Sequence, residues 1–418
     1  MSSHQGVAPD WRTARSYPRC GAAAFSRIAC RDIDRHRHPS KPKGLTIKDS
    51  RAKPQSQPFT DIAVLGAGAW GTALAVVLAR NGASVRLWAR RPELVAAIAA
   101  TGRNDAYLAD VTLPSGLGAT ADLAAALAGA DAVVIATPST SLREMCRAIA
   151  PHLPPAIPIA LACKGVERHT GYLLSEVVIE ELPGHPVGAV SGPTFARETA
   201  LGHPTAATVA FPFLYADRLD PRSSPAARMA MSLSGGGFRP YVSDDLVGVE
   251  VGGAVKNVIA IACGMMSGAG FAENTRAALI TRGMDEMKRL AEALGGSRET
   301  VTGLSGAGDL TLTCSSITSR NMNLGRQLGE GIARADCFDG RPVVVEGEVN
   351  AVSVVDLSRR INVVMPICET VNEVLHHGAD LRSSFSALWS RPIEAEPRAM
   401  GLSLDHPAPN LPLDFGDV

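Results

Sequence analysis

DIAVLGAGAWG, residues 61–71, is a short apolar run followed by three glycines in the order G-x-G-x-x-G. Ile62 to Leu65 read as a buried strand, and TALAVVLAR at 72–80 reads as the helix behind it. A glycine-rich turn between a strand and a helix is suited to a dinucleotide pyrophosphate. Gly66 allows the tight turn, Gly68 lets phosphates approach the backbone, and Gly71 lets the helix pack on the strand. The helix start then offers free N–H groups and a positive dipole end to an anion.

Outward from this turn, residues 59 to about 210 alternate strand and helix. Ser84–Ala89, Ala130–Thr137, Pro158–Cys163 and Val187–Val190 read as further strands, with helices at 92–100 and 142–149. Such alternation implies a parallel, doubly wound, Rossmann-like α/β sheet. The segment 211–240, rich in Pro, Ser, Arg and Gly, reads as an irregular insertion. From 245 onward the period turns helical, over 246–266, 274–294, 320–328, 345–360 and 367–375. The expected organisation is an extension at 1–58, a dinucleotide domain at 59–245, a mainly α-helical domain at 246–396 and a tail at 397–418.

Composition narrows the class. The 418 residues carry 41 Lys plus Arg against 41 Asp plus Glu. A zero net charge points away from nucleic acid or an anionic membrane as the main partner. The apolar stretch 249–266 contains Lys256 and several glycines, so it is not read as a membrane span. Eight cysteines without a C-x-x-C pair read as reduced thiols of a cytoplasmic protein, with no metal site. Residues 1–58 hold twelve Lys/Arg, four Asp and no Glu. A disordered tail, an organelle transit peptide and a start codon placed too early all fit that composition.

Ligands of open α/β sheets gather at the carboxyl ends of the strands. There the chain carries Pro138-Ser139, Lys164 and Ser191-Gly192-Pro193-Thr194. The second strand ends in Arg90 and Arg91, where an NAD-selective site usually has an acid for the ribose 2′-OH. Arginines suit a 2′-phosphate, so the pair leans toward NADP. Lys256 lies inside GVEVGGAVKNVIAIACGMMSG, on a face lined mostly by small residues. Two mid-helix glycines cost about 1 kcal/mol each relative to alanine, so something should approach that face closely. A buried lysine must find partners or lose its proton, and a lowered pKa suits an acid/base role. GLSGAGDL at 303–310 puts Asp309 after a glycine turn. Ser319-Arg320-Asn321 opens a helix in a way that suits a phosphate.

Together these blocks resemble a known family. GAGAWGTALA, Pro138-Ser139, Lys164-Gly165, SGPTFA at 191–196, GVEVGGAVKNVIAIACG at 248–264, NTRAALITRG at 274–283, GAGDL at 306–310, SRN at 319–321 and VVEG at 344–347 run in the order seen in bacterial-type NAD(P)-dependent glycerol-3-phosphate dehydrogenases. The resemblance spans roughly 59–396. It implies reversible reduction of dihydroxyacetone phosphate to sn-glycerol 3-phosphate with NADP or NAD, supply of glycerophospholipid synthesis, and a homodimer. It also implies Lys256 as proton acceptor, with Lys164 and Asp309 beside it. Gly192, Thr194, Ser319, Arg320 and Asn321 would join these three lysine and aspartate residues at the substrate. Ala69, Trp70, Arg90, Arg91, Lys164, Ala196, Val344 and Glu346 would join the three glycines at the cofactor, with Arg320 near both ligands. Two-domain hydroxyacid dehydrogenases, which act on carboxylates, are the nearest rival. A non-catalytic nucleotide-binding regulator is a second, but should have lost Lys256, Lys164 or Asp309. Short-chain dehydrogenases are excluded, because no tyrosine has a lysine four residues on. Replacing Arg90 and Arg91 together should weaken NADPH binding more than NADH binding in paired titrations; equal losses would overturn the 2′-phosphate reading.

Overall fold

The computed structural model describes residues 57–396, 400–407 and 413. The expected extension at 1–58 therefore lies outside the described residues, apart from its last two positions. The sheet strands are β1 (Asp61–Leu65), β2 (Ser84–Trp88), β3 (Leu117–Thr120), β4 (Ala132–Ile135), β5 (Ile159–Leu161), β6 (Val187–Ser191), β7 (Thr205–Ala210) and β8 (Phe238–Ser243). Their spatial order is β8-β7-β6-β5-β4-β1-β2-β3. In β1 the side chains alternate as a strand requires. Ile62 and Val64 join the core on one face, and Ala63 and Leu65 join the core on the other. A sheet buried on both faces selects continuous apolar strands, which is why β1 and β4 were legible. The chain goes one way from β1 to β2 and β3, and the other way from β4. The crevice at the carboxyl ends of β1 and β4 is thus the switch point where ligands bind.

Two expectations need correction. The sheet is not wholly parallel: β7 pairs antiparallel with β6, and β8 pairs parallel with β7. The 211–240 segment is also largely regular. It contains a short helix, Tyr215–Leu219, then helix Pro225–Leu233, and it leads into β8. The Ser and Pro that signal a loop here start that second helix. Pro225 takes the first turn, where its missing N–H costs nothing, and Ser224 Oγ accepts from Ala227 N at 3.2 Å. Pro240 is tolerated because β8 is an edge strand.

The helical part is arranged around α1 (Leu246–Gly268), whose residues 248–266 are all buried. Its apolar length, sufficient by composition to cross a membrane, is covered almost entirely by protein. Asp245 caps its start, accepting from Gly248 N at 2.9 Å. Around it lie α2 (Glu273–Ala293), α3 (Asp309–Ser315), α4 (Arg320–Gly329), α5 (Glu346–Arg360) and α6 (Pro366–His376). Glu286 of α2 is buried, and it accepts from Ile367 N at 2.6 Å and Cys368 N at 3.2 Å, capping α6. Burial pushes its carboxyl up to about 7.

The closest packing is between α1 and α4. A Cβ on Gly264 would lie 2.2 Å from Met322 O, and one on Gly325 would lie 2.1 Å from Ile261 O. Gly268 and Gly329 repeat the arrangement one turn on, at 2.0 Å from Arg326 O and 2.1 Å from Met265 O. Backbones this close admit no side chain between them. Gly325→Ala should cost about 1–3 kcal/mol as overpacking, read as a lower denaturant midpoint. Gly118→Ala, where a Cβ meets nothing within 4 Å, should stay within about 0.5 kcal/mol.

Candidate active site

The glycine turn is shaped by two close contacts and one open position. Gly66 has φ +118°, and a Cβ there would lie 2.8 Å from the Ala136 carbonyl carbon. A Cβ on Gly71 would lie 1.9 Å from Gly66 O. Gly68 differs: its Cβ would meet nothing within 4 Å. It is the N-cap of helix Ala69–Arg80, which has no capping side chain and no acid in its first turn. The first-turn N–H groups thus lack a capping side chain, as a pyrophosphate site requires. The Trp70 indole N–H and Thr137 Oγ1 are buried without a hydrogen-bond partner among the described residues. Both features fit a dinucleotide. Ala69 lies in this first turn, and Ala196 opens the helix Ala196–Leu201. Arg90 and Arg91 follow β2 and are exposed.

Across the crevice, three predicted residues meet. Lys256 Nζ donates to Asp309 Oδ1 at 2.6 Å and to Thr313 Oγ1 at 2.9 Å. Lys164 Nζ donates to Asp309 Oδ2 at 2.5 Å. Lys256 is 7% exposed and Asp309 2%, so this carboxylate is shared by two ammonium groups in a dry setting. Burial of Lys256 lowers its pKa to about 8, and Asp309 opposes the shift. Burial would raise Asp309, but Lys164 and Lys256 outweigh it and hold the carboxyl below its usual range.

The mid-helix glycines explain how α1 reaches this cluster. A Cβ on Gly252 would lie 2.7 Å from Ser305 O, and one on Gly253 would lie 3.3 Å from Lys164 Cγ and Cδ. What approaches the lysine face of α1 is thus protein. The expected glycine loop is a π-helical turn, Leu304–Gly308, running straight into α3. A Cβ on Gly306 would lie 1.9 Å from Val301 O, so this glycine serves a tight turn.

A second network joins α1, α4 and α5. Asn321 Nδ2 donates to Asn257 Oδ1 at 2.9 Å, and Asn257 Nδ2 donates to Glu346 Oε2 at 3.1 Å. Gly347 N donates to Asn321 Oδ1 at 2.8 Å. Ser319 caps α4, accepting from Met322 N at 3.3 Å, while Arg320 is exposed. Thr194 Oγ1 donates to Gly192 O at 3.2 Å just past β6. Val344 is 61% exposed. Among the described residues, Arg90, Arg91 and Val344 make no hydrogen bond or ion pair with the lysine–aspartate cluster.

The profile for the N-terminus of NAD-dependent glycerol-3-phosphate dehydrogenase matches residues 61–214, and that for its C-terminus matches 245–386. The chain belongs to the NAD-dependent glycerol-3-phosphate dehydrogenase family. A glycerol-3-phosphate dehydrogenase of Rhodospirillum rubrum, named as using NAD(P)+, is 47% identical over 341 residues, covering 82% of this chain and 95% of that one. One from Caulobacter vibrioides is 44% identical over 338 residues, covering 81% and 99%. The crystal structure of glycerol-3-phosphate dehydrogenase from Coxiella burnetii superposes with TM-score 0.74 at 39% identity, covering 80% of this chain and 99% of that one.

Sequence reasoning passed over Thr313 and Asn257. Thr313 Oγ1 donates to Asp309 O at 2.6 Å and accepts from Lys256. It lies four residues after Asp309, a spacing that marks a shared face once 309–315 is read as helix. Asn257 follows Lys256 directly, but its bonds run to α4 and α5, which no local pattern reveals. Titration of the Lys256 13Cε resonance, assigned with Lys256→Ala, should give a midpoint near 8. In Asp309→Asn the midpoint should fall, because the carboxylate that favours the ammonium is gone; a rise would overturn the attribution.

Proposed function

We propose that this dehydrogenase interconverts dihydroxyacetone phosphate and sn-glycerol 3-phosphate with NADP or NAD. The reading is carried by the buried cluster of Lys256, Asp309 and Lys164, together with the uncapped glycine turn at 66–71. The bound nicotinamide supplies or accepts the hydride at substrate C2. In alcohol oxidation, neutral Lys256 takes the proton from the C2 hydroxyl. In reduction its ammonium gives that proton to the developing alkoxide and stabilises the charge. Asp309 orients Lys256 through the 2.6 Å bond, and Lys164 holds and polarises the substrate oxygen.

The phosphate fits the start of α4, where Ser319, Arg320 and Asn321 combine a hydroxyl, a guanidinium and first-turn N–H groups. Gly192 and Thr194 contact the triose from the end of β6. Gly66, Gly68, Ala69, Trp70, Gly71 and Ala196 hold the dinucleotide, with Lys164, Arg320, Val344 and Glu346 near its nicotinamide end. Arg90 and Arg91 favour the 2′-phosphate of NADP. In this reading 59–245 is the dinucleotide domain and 246–396 the substrate domain. The enzyme acts in the cytoplasm as a homodimer and supplies the glycerophospholipid backbone.

The sign of the pH dependence follows from Lys256. Its pKa is lowered to about 8 by burial, so kcat/KM for glycerol 3-phosphate oxidation should rise with pH through about 8. Reduction, which needs the ammonium, should fall over the same range. Oxidation of NADPH and NADH with dihydroxyacetone phosphate, against pyruvate and other ketoacids, tests the substrate; no turnover with the triose phosphate sinks the proposal. Lys256→Ala should lose about 10²–10⁴-fold in kcat, the usual scale of acid/base catalysis, while still binding cofactor.

A further inference from the structure

Glu250 belongs to α1, six residues before Lys256, and none of the roles above uses it. It is a carboxyl only 8% exposed. Its Oε1 accepts from Ser175 N at 2.8 Å and its Oε2 accepts from Ser175 Oγ at 2.5 Å. Ser175 sits in the first turn of helix Leu174–Glu181. That turn follows a hairpin closed by the Val166–Leu173 bridge and by the 2.9 Å bond from Glu167 N to Tyr172 O. The hairpin begins immediately after Lys164 and Gly165. A bond from α1 to Ser175 therefore fixes the far end of the segment whose near end is Lys164.

The near end lines the same small chamber as Glu250. Lys164, Gly165, Ser191, Glu250 and Gly253 wall one chamber of about 10 Å³, a volume on the scale of a single water. Ser191 Oγ is buried there without a protein partner among the described residues. A Cβ on Gly253 would lie 3.2 Å from that hydroxyl, so glycine keeps the chamber from closing. A buried carboxylate left unpaired would be costly. Here the N–H and hydroxyl of one serine, at a helix start whose dipole favours negative charge, offset that cost.

We propose that Glu250 is a positioning residue for the reaction: it locks Ser175 and the walls of the Lys164 chamber, and so holds the Lys164 ammonium against Asp309. This rests on the reading of Lys164 as a substrate-holding group. Burial also pushes the Glu250 carboxyl up to about 7, against the Ser175 hydrogen bonds that lower it. A neutral side chain of the same shape is thus close to a natural state of the site, and glutamine reproduces it.

The test is steady-state kinetics with dihydroxyacetone phosphate, together with cofactor affinity from tryptophan fluorescence. Glu250→Ala should raise KM for the triose phosphate about tenfold and lower kcat, with NADPH affinity held within about twofold. Glu250→Gln, which still accepts from Ser175 N, should recover KM to within about threefold of wild type. An alanine variant with wild-type KM and kcat overturns the inference. So does a parallel loss of triose and cofactor affinity that glutamine does not rescue. If the alanine variant does not fold, Ser175→Ala removes the 2.5 Å bond alone and should raise KM about threefold; an unchanged KM then overturns the inference. The wild-type control separates the two readings. Its failure to turn over the triose phosphate sinks the proposed function together with this one, whereas normal wild-type turnover with an insensitive Glu250 sinks this one only.

Discussion

The Asp309 carboxylate lies between two ammonium groups, and much of the architecture serves that arrangement. Removing Asp309 and Lys256 from water is expensive, and only close pairing with well-directed hydrogen bonds recovers the cost. The three side chains come from different places: the carboxyl end of β5, the middle of α1 and the start of α3. Each backbone must approach to within a side chain's reach. Gly252 and Gly253 make this possible by removing the side chains that would hold the Ser305 turn and Lys164 away from α1.

The same device recurs further along α1. Gly264 and Gly268 face Gly325 and Gly329 at separations that leave no room for a methyl group. This seam sets the height of α4, and with it the position of Ser319, Arg320 and Asn321 relative to Lys256. The chain Asn321–Asn257–Glu346 then pins the start of α4 to α1 and α5. Close glycine packing thus supplies distance, and the amide network supplies orientation.

Much of this was legible in the sequence. Buried strands such as β1 and β4 are continuous apolar runs, and the long helices after 245 keep a clear period. Lys256, Lys164 and Asp309 stood out because a charge inside an apolar or glycine-rich context demands an explanation. The misses share one cause: residues with two meanings. Ser224-Pro225 reads as a loop but starts a helix, and the glycines of 303–308 read as a glycine turn but form a tight π-helical turn. Pro240 argues against a strand until the strand is known to be at an edge. The partners of Asn257 and Glu250 are invisible in one dimension, because their hydrogen bonds join segments 64 or more residues apart.

Placing Lys256 at the centre of a helix buried along nearly its whole length has a consequence for divergence. Nearly every neighbour of Lys256 on α1 also carries part of the core, so this helix has little freedom to drift without cost to folding. Freedom lies at the rim, in the exposed Arg90-Arg91 pair, the exposed Arg320 and the exposed Val344. Changes of cofactor preference or substrate size should therefore accumulate at the rim while the chemistry stays unchanged. A designer seeking a new substrate would do best to leave α1 alone.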